Sequence, residues 1–150
     1  MSIDETDRQV IDALVEDGRA DDREIAEMTG IVANSVADRR AALEDAGVIT
    51  GYSARIDYEQ LGYDVTAVFQ LAVDGDGLSE VIARLDDRDD LRAVYEVTGD
   101  HDVIAIGTYP DTDAMNSRIK DLLTDASIRS VSTSVVLNTV KASNPRRLSE

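Results

Sequence analysis

Apolar residues recur at helical spacing three times within the first fifty positions. Val10, Ile11, Leu14 and Val15 follow Asp4, a natural N-cap, and Gly18 stops the run. A second stripe, Ile25, Ala26 and Met28, starts near Asp21, with Glu24 in capping-box position, and stops at Gly30. The third segment, residues 33–47, turns Val36 and Leu43 inward and ends at Gly47. Three short helices with a glycine-containing turn before the last predict a helix-turn-helix.

Beyond residue 47 the pattern shortens to that of strands. "VITGYSARIDY", 48–58, reads as an extended strand and "EQLGYD" as the turn that follows it. Then "VTAVFQLAV", "LSEVIARLDDR", "LRAVYEVT", "HDVIAIGTY", "TDAMNSRIKDLLTDA" and "IRSVSTSVVLNTVK" alternate between strand and amphipathic helix in the order β-α-β-β-α-β. The predicted class is α+β: an N-terminal three-helix (winged) helix-turn-helix domain, then a ferredoxin-like sandwich with helices on one face of an antiparallel sheet. The expected boundaries are 1–50 for the helices, 51–63 for a linker strand and turn, 64–142 for the sandwich, and 143–150 for a loose tail.

Between the second and third strands of this array, Gly99 and Asp100 make a hairpin turn, and the chain's one histidine, His101, stands between Asp100 and Asp102. A turn needs nothing more. Its backbone N–H groups can also hold a carboxylate, and its aspartates an ammonium, which together suit a zwitterionic amino acid. A histidine so placed would, as a cation, select an acidic side chain or respond to pH; an exposed turn histidine is the competing reading.

Composition narrows the function classes. No cysteine and a single histidine exclude disulfides and thiolate metal sites and leave little for zinc or a triad, so no metal and no cofactor are expected. No nucleophile–base pair or phosphate loop suggests an enzyme, and the carboxylates of "DDRDD", 86–90, lack the spacing of a calcium loop. No apolar run approaches the roughly 20 residues of a membrane span, and the N-terminus has no leader pattern, so a cytoplasmic protein is expected. The formal net charge is −16, from 31 acidic and 15 basic residues, and only Lys120 and Lys141 are lysines. The acid is spread evenly: residues 1–50 hold 13 acidic and 5 basic residues, net −8, leaving −8 for the remainder. That distribution resembles proteins of salt-in halophiles, whose acidic surfaces keep them dissolved in concentrated salt.

Four stretches together, "IDETDRQVIDALVEDGR", "LEDAGVITGYSARID", "VTGDHDV" and "VVLNTVKASN", resemble the Lrp/AsnC (feast/famine) transcription regulators over nearly the whole chain. The resemblance implies a sequence-specific regulator that binds double-stranded DNA and responds to an amino-acid effector. It implies a homodimer assembling to higher oligomers such as octamers, with effectors held between subunits near the Gly-Asp turn. The implied effector residues are Gly99, Asp100, His101 and Asp102, with Ser132, Thr133 and Ser134 of a neighbouring subunit's last strand as a second wall. On the third helix, Asn34, Ser35, Asp38, Arg39 and Arg40 are the candidate DNA contacts, Asn34 for adenine and Arg39 for guanine or phosphate. The chain departs from the family pattern at four places. Val32 replaces the usual capping serine, so Asn34 is expected to begin the helix later. Arg40 replaces an apolar residue, and Ala41 and Ala42 stand where basic residues are frequent. A metabolite-sensing module with little direct DNA binding is the alternative.

Overall fold

The structure, a computed structural model, describes residues 1–142 and 145–150. The chain forms two compact units, residues 1–55 with 141–150, and residues 56–140.

In the first unit, α1 spans Glu5–Glu16, α2 Asp22–Thr29 and α3 Ala33–Asp45. Asp4 caps α1 with a reciprocal box: its carboxylate accepts from the Asp7 amide, and that of Asp7 from the Asp4 amide. At α2 only half of the expected box forms, the Asp21 carboxylate accepting from the Glu24 amide at 2.8 Å. Val10, Ala13, Leu14, Ala20, Ile25, Val36 and Leu43 make the core, so the three predicted stripes meet one another. Met28, expected inward, is exposed. With only eight residues, α2 has room for one buried contact line, which Ile25 takes.

The tail is not loose throughout. The amides of Leu148 and Ser149 donate to Asp12 of α1 at 2.8 and 2.7 Å, and the Ser149 hydroxyl also meets that carboxylate. Two of its residues, 143 and 144, lie outside the described residues. The stretch 48–58 is not a strand either: residues 51–57 join no ladder, and Tyr58–Leu61 form a 3-10 turn closed by Gly62.

The second unit is the expected β-α-β-β-α-β array: β1 Val65–Val73, α4 Leu78–Asp86, β2 Leu91–Glu96, β3 Val103–Tyr109, α5 Thr112–Leu123 and β4 Ile128–Val135. The sheet order is β2-β3-β1-β4, with every neighbouring pair antiparallel. Alternate residues of β1, Ala67, Phe69, Leu71 and Val73, are buried with Val81 and Leu85 of α4 and Met115 and Leu122 of α5. Both helices therefore cover one face, and Val68, Gln70, Ile104 and Ile106 point to the other. The last strand is shorter than its sequence pattern. Past Val135 the Val136 amide still donates to the Thr66 carbonyl at 2.9 Å, near the start of β1 at Val65. Leu137, which continues the apolar alternation, and Val140 are left exposed.

Candidate functional site

Helix α3 carries the candidate DNA contacts. It begins at Ala33, with Val32 as an N-cap that makes no side-chain bond, so the missing serine does not delay the helix to Asn34. Burial of Val36 and Leu43 fixes its rotation, leaving Asn34, Asp38, Ala41 and Ala42 exposed and Ser35 half-buried.

The two arginines are committed to the fold. Nη1 of Arg39 donates to Asp4 Oδ1 at 2.8 Å and Oδ2 at 2.9 Å, and to Asp7 Oδ1 at 3.1 Å. It thereby ties α3 to the cap of α1, and its hydrogen bond is the main reason the Asp4 carboxyl lies below its ordinary value. Arg40 bends back toward the start of α2: Nη1 donates to the Ala20 carbonyl and to Asp22 Oδ1, each at 3.2 Å, and Nε to Glu44 at 3.4 Å. Its guanidinium lies 5.4 Å from the centre of the Tyr52 ring, whose hydroxyl donates to Glu44 at 2.8 Å. In this structure Arg39 and Arg40, expected to face DNA, are paired with carboxylates of the same unit. Sequence periodicity places a residue on a helix face, but a long side chain reaches whichever carboxylate the neighbouring helices bring close.

The Gly99 turn is built differently from its sequence reading. Gly99 has φ +116°, which a side chain would strain. The Val97 amide donates to the Asp102 carbonyl at 2.9 Å and the Asp102 amide to the Leu71 carbonyl at 2.8 Å, which pins both ends of the loop. Among the described residues, the amides of Thr98, Gly99, Asp100 and His101 have no acceptor. Asp102 does not join them, because its Oδ2 accepts the Val73 amide at 2.8 Å and holds the turn against β1.

Beside the turn lies an open depression of about 700 Å³, lined by Gln70, Glu96, Val97, Thr98, Asp100, His101 and Ile104. The structure thus brings Asp100 and His101 together. Ladder register decides the serine row. Ser132 lies opposite Gln70 and Ser134 opposite Val68, on the face of the depression, whereas Thr133 lies opposite Phe69 on the helix-covered face. Within the chain, Thr133 thus stands on the sheet face opposite that of Ser132 and Ser134. Gln70 was legible as the one amide in an otherwise apolar strand, whereas Thr98 and Ile104 become neighbours only through folding.

Comparison with known proteins bears on both regions. Residues 3–50 match the winged helix-turn-helix DNA-binding family and residues 66–146 the Lrp/AsnC ligand binding domain. The chain belongs to the Lrp/AsnC family of transcriptional regulators. An uncharacterized HTH-type transcriptional regulator of Pyrococcus furiosus is 36% identical over 142 residues, 94% of this chain and 95% of its own. A feast or famine regulatory protein of Mycobacterium tuberculosis, complexed with L-methionine, superposes with a TM-score of 0.90 at 27% identity, covering 98% of this chain and 100% of that one. A Neisseria meningitidis regulator in complex with L-Met shares the fold, with a TM-score of 0.92 at 22% identity over 97% of each chain. This Lrp/AsnC protein is a helix-turn-helix regulator with a ligand-binding domain, not an enzyme. No described helix is long and apolar enough to cross a membrane.

Proposed function

We propose that the protein is a cytoplasmic, sequence-specific regulator whose assembly or DNA affinity responds to an amino acid held at the Gly99 turn. The observation that carries this reading is the run of four amides, Thr98 to His101, without an internal acceptor, beside the exposed Asp100 carboxylate. The amides suit an α-carboxylate and Asp100 an α-ammonium, and Gln70 and Ile104 flank the side-chain space. The methionine-bound mycobacterial relative supports an amino acid as the ligand class. Ser132 and Ser134 stand on the same uncovered sheet face as Ile104, Ile106 and half-exposed Tyr95. An apolar face of this kind favours a second copy, and through it an oligomer.

DNA contact falls to Asn34, Ser35 and Asp38, with Arg39 and Arg40 as positioning residues. The even acidity of the chain suits concentrated salt, where phosphate neutralisation contributes little to any protein's affinity. Several helix-turn-helix units on one assembly supply effective concentration instead.

Titration calorimetry with the twenty amino acids, paired with gel shifts on the protein's own promoter in molar KCl, tests the reading. Heat from at least one amino acid, abolished in Asp100→Asn and accompanied by a changed shift, is expected. No heat with any of them, and no effect of any on the shift, would remove the effector site. The metabolite-sensing alternative draws on the commitment of both arginines to internal ion pairs. Ligand heat without any shift decides in its favour.

A further inference from the structure

We infer that Asp38 is a specificity-determining residue that reads a cytosine, and that this regulator recognises its operator from α3 without an arginine. The inference rests on α3 being the DNA-reading helix, and it follows from what the fold leaves on that helix's outer face.

Base-reading helices enter the major groove and present their N-terminal residues to base edges. On α3 the burial of Val36 and Leu43 sets that face as Asn34, Asp38 and Ala41, spaced at i, i+4 and i+7. Arginine, the usual reader of guanine, is taken out of contention by its partners: Arg39 goes to Asp4 and Asp7 and Arg40 to Asp22 and Glu44. The Asp38 carboxylate is exposed, and neither arginine of its own helix pairs with it. A carboxylate only accepts hydrogen bonds. In the major groove the amino groups of cytosine and adenine donate, and adenine couples its donor to an N7 acceptor that a carboxylate does not satisfy. Cytosine is the matching base. Asn34 has the donor and acceptor that adenine asks for. Four residues at about 1.5 Å rise set the two side chains about 6 Å apart along the axis, close to two base steps of about 3.4 Å.

The same geometry accounts for a carboxylate facing a polyanion. At about 0.1 M salt the Debye length is about 10 Å, so Asp38 is repelled by flanking phosphates; at about 1 M it is about 3 Å, and the repulsion is screened while a contact hydrogen bond persists. Asp38 is thus a reader suited to concentrated salt.

Selection from a randomised duplex library by the full-length protein in molar KCl, compared with D38A and D38N, tests this. Wild type is expected to enrich cytosine at one position about two steps from an adenine, with discrimination on the order of tenfold. D38A flattens that position alone, and D38N converts it to adenine. Wild-type affinity for the selected site rises between 0.1 and 1 M KCl, and D38A loses much of that rise. Asp38 makes no core contact, and unchanged thermal melts of both variants confirm that folding is intact. Enrichment by D38A of the same bases as wild type at every position, with affinity raised uniformly, overturns the inference and leaves DNA reading by α3 in place. Enrichment of no sequence by any of the three proteins defeats both.

Discussion

Single side chains in this protein do work that their position in the sequence does not announce. Arg40 sits where the family pattern expects an apolar residue, and the structure shows how the substitution is accommodated: the guanidinium replaces a core contact with bonds to Ala20, Asp22 and Glu44 and a stack on Tyr52. Arg40→Ala is expected to destabilise the first unit by about 1–2 kcal/mol, and a denaturant titration followed by helix dichroism measures it. In the second unit, Asp90 receives Tyr109 Oη at 2.7 Å and Nε and Nη2 of Arg118 at 2.7 and 2.8 Å. Tyr109 reaches it by lying over Gly107, where any Cβ would stand 2.5 Å from the phenol oxygen. Burial alone would raise the Asp90 carboxyl, but the bonds from Arg118 and Tyr109 outweigh it and hold the group below its ordinary value. Burial, then the bond to Asp90, pushes the Tyr109 phenol up. A carboxyl lowered in the folded state contributes stability that is complete above its unfolded value, near pH 4, and is lost as pH falls through the lower folded value. Asp90→Asn should therefore cost about 2 kcal/mol at pH 7 and flatten the loss of stability below pH 4 in acid titrations.

Among the elements, the helices were legible and the segments between them less so. Helix α1 has its cap, stripe and stop within one stretch of sequence, and α4 and α5 carry the same information in "LSEVIARLDDR" and "TDAMNSRIKDLLTDA". Strand β4 shows the limit, since its apolar alternation runs on to Leu137 but its ladder ends at Val135, where β1 supplies no further edge. The tail shows the opposite error. "RRLS", 146–149, has no periodicity, yet its backbone amides satisfy Asp12, whose carboxyl lies below its ordinary value because bonds from Ser149 and Leu148 overcome the opposing effect of burial. Asp12→Ala is expected to release this segment: trypsin should cleave after Arg146 or Arg147 several-fold faster than in the wild type, with the helix signal nearly unchanged. Equal cleavage rates in the two proteins would show that Asp12 does not hold the tail.

At the scale of the whole molecule, charge and fold pull in different directions. A net charge of −16 on 150 residues repels itself at low ionic strength, and ten ion pairs among the described residues recruit most of the arginines against it. Raising KCl from about 0.1 to about 1 M shortens the screening length from about 10 to about 3 Å. The melting temperature should therefore rise across that interval, as read by calorimetry, and a fall would show that the ion pairs rather than the net repulsion dominate.

The sequence by itself determined the α+β class, the three helices of the first unit and the β-α-β-β-α-β order of the second, most of the apolar positions of each core and the location of the Gly99 turn. It could do so because helix and strand periodicity, caps and turn residues act over a few positions. Tertiary structure alone decided which charged groups remain available. Asp102 turns to the Val73 amide, Arg39 to Asp4, 35 residues away, and Arg40 to Asp22, 18 residues away. An ion pair is chosen by distance in space, and ladder register by pairing across strands, neither of which is fixed by neighbours along the chain.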